Sequence, residues 1–114
     1  MNAFDQTIVP GNAADVHTKW SIRDVLSERF SRDELETLCI NLGERIKASG
    51  LRMAESLYPL NLEVIGEGKQ IKLTAQRVVE YLDRRSALPF LAALLREYFP
   101  DDDNVAAWQF VVRG

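Results

Sequence analysis

One cysteine and one histidine among 114 residues remove several chemistries at once. A lone thiol cannot close an internal disulfide, so a disulfide-stapled secreted scaffold is excluded and a reducing compartment, the cytoplasm, is expected. A structural zinc site needs about four Cys or His ligands, and only Cys39 and His17 are present. The two also fail as a catalytic pair. A thiolate nucleophile needs an imidazole or a cation beside it, whereas His17 lies in the N-terminal flank and Cys39 falls between Leu38 and Leu42 on an apolar stripe. Cys39 therefore reads as a small core residue. Neither a metal, nor a cofactor, nor an enzymatic activity is expected.

Long apolar runs are missing as well. The longest uncharged one, residues 86–95, is half of the ~20 residues that span a bilayer. Residues 1–20 lack the basic start and apolar centre of a signal peptide, so no membrane partner is expected. A basic excess is also absent, with 14 Lys and Arg against 17 Asp and Glu and a net charge of −3, which argues against nucleic acid. The GEGK run at residues 66–69 ends as a phosphate-binding loop does. It lacks that loop's earlier glycine, since position 63 is Glu63, and its Ser or Thr, since position 70 is Gln70. Asp101, Asp102 and Asp103 are adjacent, without the alternating spacing of an EF-hand, and read as a solvated helix stop.

What is present is an ordinary globular composition, 46% hydrophobic and 27% charged, in a chain of single-domain length. Residues 1–18 show no apolar periodicity and read as a flexible leader, residues 19–100 as a helical interaction domain, and residues 101–114 as an acidic stop plus a C-terminal helical turn or linker. Ile22, Val25, Leu26 and Phe30 share one helical face that Ser21 is placed to cap. Ser31 and Glu34 form a capping box ahead of Leu35, Leu38, Cys39 and Leu42, and Gly43 is expected to close that second helix. A third helix is expected over residues 44–58, with a weak middle at Gly50, followed by a connector over residues 60–69 in which Gly66 and Gly68 leave no room for a regular helix. Ile71, Ala75, Val78, Val79 and Leu82 give the clearest amphipathic stripe. Pro89 opens a very apolar fifth helix whose buried side is expected from Phe90, Leu91, Leu94, Leu95 and Tyr98, and Pro100 follows its end. Asn104 is placed to cap a last turn before Trp108 and Phe110. Only residues 60–65 and 110–113 approach a strand's alternation. The fold class is all-α, a compact bundle of five or six helices.

Charge is unevenly distributed. Residues 20–44 hold three basic and six acidic residues, and residues 69–96 hold six basic and two acidic ones. One face, with Asp24, Glu28, Asp33, Glu34 and Glu36, is therefore acidic, and another, with Lys69, Lys72, Arg77, Arg84 and Arg85, is basic. Such a pattern fits solvated helix faces. It equally fits head-to-tail association between copies, which closes as a homo-oligomer or grows as a filament.

Residues 21–43 (SIRDVLSERFSRDELETLCINLG), 65–69 (IGEGK), 79–88 (VEYLDRRSAL) and Phe99-Pro100 resemble the bacterial effector-associated, death-like domains of the CARD-like superfamily. The resemblance covers residues 20–100, with residues 45–59 standing as an insertion and Ser86 standing where glycine is common. It implies a non-enzymatic death-fold bundle that serves as an adaptor in bacterial antiphage defence. Its partners would be like domains, in itself or on a protease, a signalling ATPase or a pore-forming effector. In that pattern Phe30, Leu35, Leu38, Cys39, Leu42, Leu82 and Leu88 are structural. Gly66, Gly68, Lys69, Arg84 and Arg85 are loop or exposed positions, although Arg84 equally suits the negative end of a helix. The alternative is a helix-turn-helix nucleic-acid binder turning near residues 30–31, against which Asp33, Glu34 and Glu36 would repel phosphate.

Overall fold

A computed structural model describes residues 12–14, 16–50, 57–108 and 110–112. Within them the order is β1 (Asn12–Ala14), α1 (Val16–Arg29), α2 (Arg32–Ala48), α3 (Leu62–Ile65), α4 (Ile71–Arg84), α5 (Leu88–Tyr98), α6 (Asp103–Ala106) and β2 (Phe110–Val112). The chain is an all-α bundle. Among the described residues its one departure is a three-residue antiparallel ribbon, in which Asn12, Ala13 and Ala14 of β1 face Val112, Val111 and Phe110 of β2.

α5 is the axis of the core. Eight of its eleven residues, from Leu88 through Leu95, are buried, as expected of a helix that is apolar all round. α2, α4, α6 and β1 all lie against it. Ile22 and Leu26 of α1, Leu35, Leu38, Cys39 and Leu42 of α2, Val78 and Leu82 of α4, and Leu91 and Leu94 of α5 are all buried. Each fully buried Leu or Ile contributes about 1.5–3 kcal/mol. Phe30, expected among them, is only partly buried and packs against the margin of the core. α1 packs most extensively on α4, and Lys19 pairs with Asp83 across that seam at 3.3 Å.

Several element ends differ from the sequence reading, each for a local reason. α1 begins at Val16, inside the stretch read as leader, so Ser21 is interior to the helix and caps nothing. α2 does not stop at Gly43 but runs to Ala48, with Ser49 as its C-cap and Gly50 at φ +72°. Gly43 is needed for its small size. A Cβ there would stand 2.9 Å from the Cβ of Leu60, which crosses the helix at that point. The first residues of the expected third helix thus belong to α2, and residues 51–56 lie outside the described residues. The connector at 60–69 contains the single turn α3, opened by Asn61, whose Oδ1 accepts from the Val64 amide at 2.9 Å. The other strand candidate, residues 110–113, supplies β2 over its first three residues, and position 113 lies outside the described residues.

The end of α4 is a Schellman motif. The Ala87 amide donates to the Leu82 carbonyl at 2.8 Å and the Ser86 amide to the Asp83 carbonyl at 3.1 Å. This geometry sets Ser86 at φ +56°, in the left-handed region that favours glycine. Position 86 is thus strained for a side chain.

Candidate functional site

The charged residues picked out from the sequence fall into two groups. In the first, the side chain is occupied within the chain. Glu34 completes its capping box: the Ser31 amide donates to its carboxylate at 2.9 Å, and the Glu34 amide donates to the Ser31 hydroxyl at 3.2 Å. These bonds hold the Glu34 carboxyl below the usual range. Glu36 accepts from the Leu62 amide at 2.7 Å, which anchors the orphan amide at the start of α3. Asp24 pairs with Arg23 at 3.1 Å. Arg77 donates to the Glu67 carbonyl at 2.7 Å. Arg85 folds over the Tyr81 ring, 3.6 Å from its centre, and donates to the Tyr81 carbonyl at 3.1 Å.

The second group faces water. Lys69, Lys72 and Arg84 on the basic side and Glu28 on the acidic side are exposed and have no partner among the described residues. Asp33 touches Arg32 at 3.1 Å, yet its side chain remains 92% exposed.

Most minority charges of each region are consumed internally. In the acidic segment Arg23 binds Asp24, Arg29 binds Asp102, and Arg32 binds Glu67. In the basic segment Asp83 binds Lys19, whereas Glu80 accepts only from the neutral Gln76 amide at 3.4 Å and keeps its charge. The exposed charges without a partner among the described residues, Lys69, Lys72, Arg84 and Glu28, are of the local majority sign.

The loop between α3 and α4 joins the two regions. Arg32 grips the Glu67 carboxylate with two nitrogens, at 2.5 and 2.9 Å. Arg77 holds the carbonyl of the same residue, and the Gly68 amide donates to the Thr74 hydroxyl at 2.9 Å. Hydrogen bonding from Arg32 pulls the Glu67 carboxyl below its ordinary value, and the same bonds raise the Arg32 guanidinium. A Cβ on Gly68 would lie 2.4 Å from the Leu73 Cγ, so the loop lies flat on α4 only with glycine there. This bidentate clasp could not be read from the sequence, because Arg32 and Glu67 are 35 residues apart.

Two surface features flank this seam. Tyr98, 42% exposed, stands at the end of α5 beside Phe30 and Phe99, with ring centres 6.4 Å from each. An open depression lies on either side of it. One, of 330 Å³, includes Phe30, Asp33 and Glu34, and the other, of 380 Å³, includes Arg29, Asp101 and Asp102. The second feature is a depression of 300 Å³ between α3 and α4, lined by Ile65, Arg77, Glu80, Tyr81 and Arg84.

Asp102, in the run read as a solvated stop, instead caps α6. Its carboxylate accepts from the amides of Asn104 and Val105 at 2.9 and 3.1 Å, a role expected of Asn104. Cys39 is 2% exposed, and burial, with a smaller contribution from Glu36, pushes its thiol up to about 12. It is therefore a poor nucleophile at neutral pH. No group of three or more His, Cys, Asp or Glu side chains suited to a metal ion occurs among the described residues, and no helix among them is long and apolar enough to cross a membrane. No family model, curated protein or solved structure matches the chain.

Proposed function

We propose that this chain is a non-enzymatic protein–protein interaction module of death-fold type. It associates with copies of itself or with like domains and thereby gathers an effector, a protease, a signalling ATPase or a pore-former, in the bacterial cytoplasm during antiphage defence. The observation that carries the interaction reading is the sorting of charge. Lys69, Lys72 and Arg84 are outward in one segment and without a partner among the described residues, Glu28 and Asp33 are outward in the other, and Arg29, Arg32 and Asp83, of opposite sign to their segments, are paired within the chain. A face so prepared attracts its complement and repels its like. The death-fold part rests on the motifs of residues 20–100, on the all-α bundle, and on the left-handed backbone at Ser86. The helix-turn-helix alternative gains nothing, since Asp33 and Glu34 stand exposed at the start of α2, where phosphate would have to approach.

Each exposed pair across such a contact adds about 0.2–1 kcal/mol and weakens with salt, so useful affinity requires several copies acting together. Light scattering coupled to size exclusion, at low and high salt, tests this. Concentration-dependent growth that dissolves with salt is expected. Reversing Lys69, Lys72 and Arg84 to Glu together should leave a monomer of unchanged helicity. Arg85 is a poorer target, because it is folded onto Tyr81. Undiminished assembly of the triple variant would discard the charged-face reading.

A further inference from the structure

We infer that Tyr98 of one copy seats in the α3–α4 depression of a second copy, as the knob of a head-to-tail contact. The inference rests on the self-association reading above and gives it a specific anchor.

Tyr98 has the properties of such an anchor. Its ring is backed by Phe30 and Phe99, which fix its direction, while 42% of it remains in water. It lines both the 330 Å³ and the 380 Å³ depressions and so forms the wall they share. Rigid, half-exposed tyrosines concentrate binding energy at interfaces, because they cover much area with few rotatable bonds. The surface around the knob is acidic, with Asp33 outward on one side and Asp101 exposed on the other.

The receiving site is complementary. The α3–α4 depression holds 300 Å³, whereas a cavity of about 150 Å³ already accommodates a benzene ring. Ile65 and Tyr81 offer it apolar and aromatic surface, and Arg77 and Arg84 line it with positive charge. A tyrosine ring entering there meets guanidinium groups that favour its face, and its hydroxyl can donate to Glu80. Asp33 and Asp101 of the knob then approach the basic side. Knob and hole are different surfaces of one chain, so the contact is heterologous. It leaves a free knob at one end and a free hole at the other, and each added copy extends the array unless the rotation closes a ring.

The test uses two variants of the full chain, one disabled at each side. Tyr98→Ala removes the knob and keeps the hole, and Arg84→Glu reverses the hole and keeps the knob. Circular dichroism of each checks folding, and Tyr98→Lys replaces Tyr98→Ala should the latter lose helicity. Sedimentation of the wild type should show association, with each variant alone weakened at least about thirtyfold, as for an interface hot spot. An equimolar mixture of the two should form a dimer and nothing larger, because only one intact contact can be made between them. Wild-type assembly that persists in both single variants would overturn the knob-and-hole contact while leaving self-association standing. A wild type that stays monomeric at all concentrations and salts would overturn both.

Discussion

α5 and the segment that follows it are held by different forces. From Leu88 through Leu95 the helix is buried on every side, and no single polar contact decides its place. The segment after Phe99 also buries Val105 and Trp108 in the core, but it is fastened in addition by directed bonds. The Trp108 indole N–H donates to the Ser21 hydroxyl at 2.8 Å, and Arg96 donates to the Trp108 carbonyl at 2.7 Å. Asp102 caps α6 and binds Arg29. Arg96 is half buried for this purpose, and desolvation lowers its guanidinium from the ordinary value. Burial is tolerant of small errors because it is summed over many contacts. Directed bonds are not, because a buried donor without its partner carries its whole desolvation cost.

Four substitutions test this contrast. Leu91→Ala, in the centre of α5, should cost about 2–5 kcal/mol in chemical denaturation, as for other leucines removed from a closed core. A cost below that range would show that α5 is not the axis of the bundle. Ser21→Ala should cost about 1–3 kcal/mol by leaving the Trp108 N–H unpaired at 5% exposure. Trp108→Phe, which deletes the donor, should suppress most of the effect of a second Ser21→Ala change, and simple additivity of the two would mean that this bond does not hold the segment. Ser86→Gly should raise stability by about 0.5–1 kcal/mol, because glycine occupies the left-handed region without a Cβ penalty. No gain in thermal midpoint would count against the Schellman end of α4.

The smallest effect is that of pH on the clasp between Arg32 and Glu67. The Glu67 carboxyl is lowered in the folded chain by its bond to Arg32. Its contribution is therefore present above the carboxyl's unfolded value and is lost as the pH falls through the folded one. Glu67→Gln should lower stability slightly at neutral pH and leave the strongly acid end nearly unmoved, so that the slope between them flattens. An acid side as steep as in the wild type would assign that slope to other carboxylates, Glu34 first among them.

The same contrast explains what could be read from the sequence. The buried stripes of α2 and α4 follow from apolar residues spaced three and four apart, and the capping box of Ser31 and Glu34 is a local pattern. Gly43 and Ser21 misled for one reason: their roles are set by residues far along the chain, Leu60 and Trp108, and not by their neighbours. Composition offers no sign that a glycine inside a helix is there to admit a crossing side chain. The charge asymmetry of the candidate faces was legible as a count. Which charges remain free was not, since the clasp on Glu67, the Lys19–Asp83 pair and the Arg85 contact with Tyr81 depend on tertiary geometry. Tyr98 looked like one more member of an apolar stripe, and only its position beyond the last buried turn of α5 turns it outward.

The bond between Ser21 and Trp108 joins residues 87 positions apart. During synthesis α1 leaves the ribosome early, and its serine then waits for a tryptophan made roughly 4–17 s later at ordinary elongation rates. A nascent chain that has not reached Trp108 has no means of making this bond, however well its helices have formed. Closure of the segment after α5 thus waits for Trp108 to be made, and until it occurs the surface that Trp108 will cover is open to whatever binds newly made apolar protein.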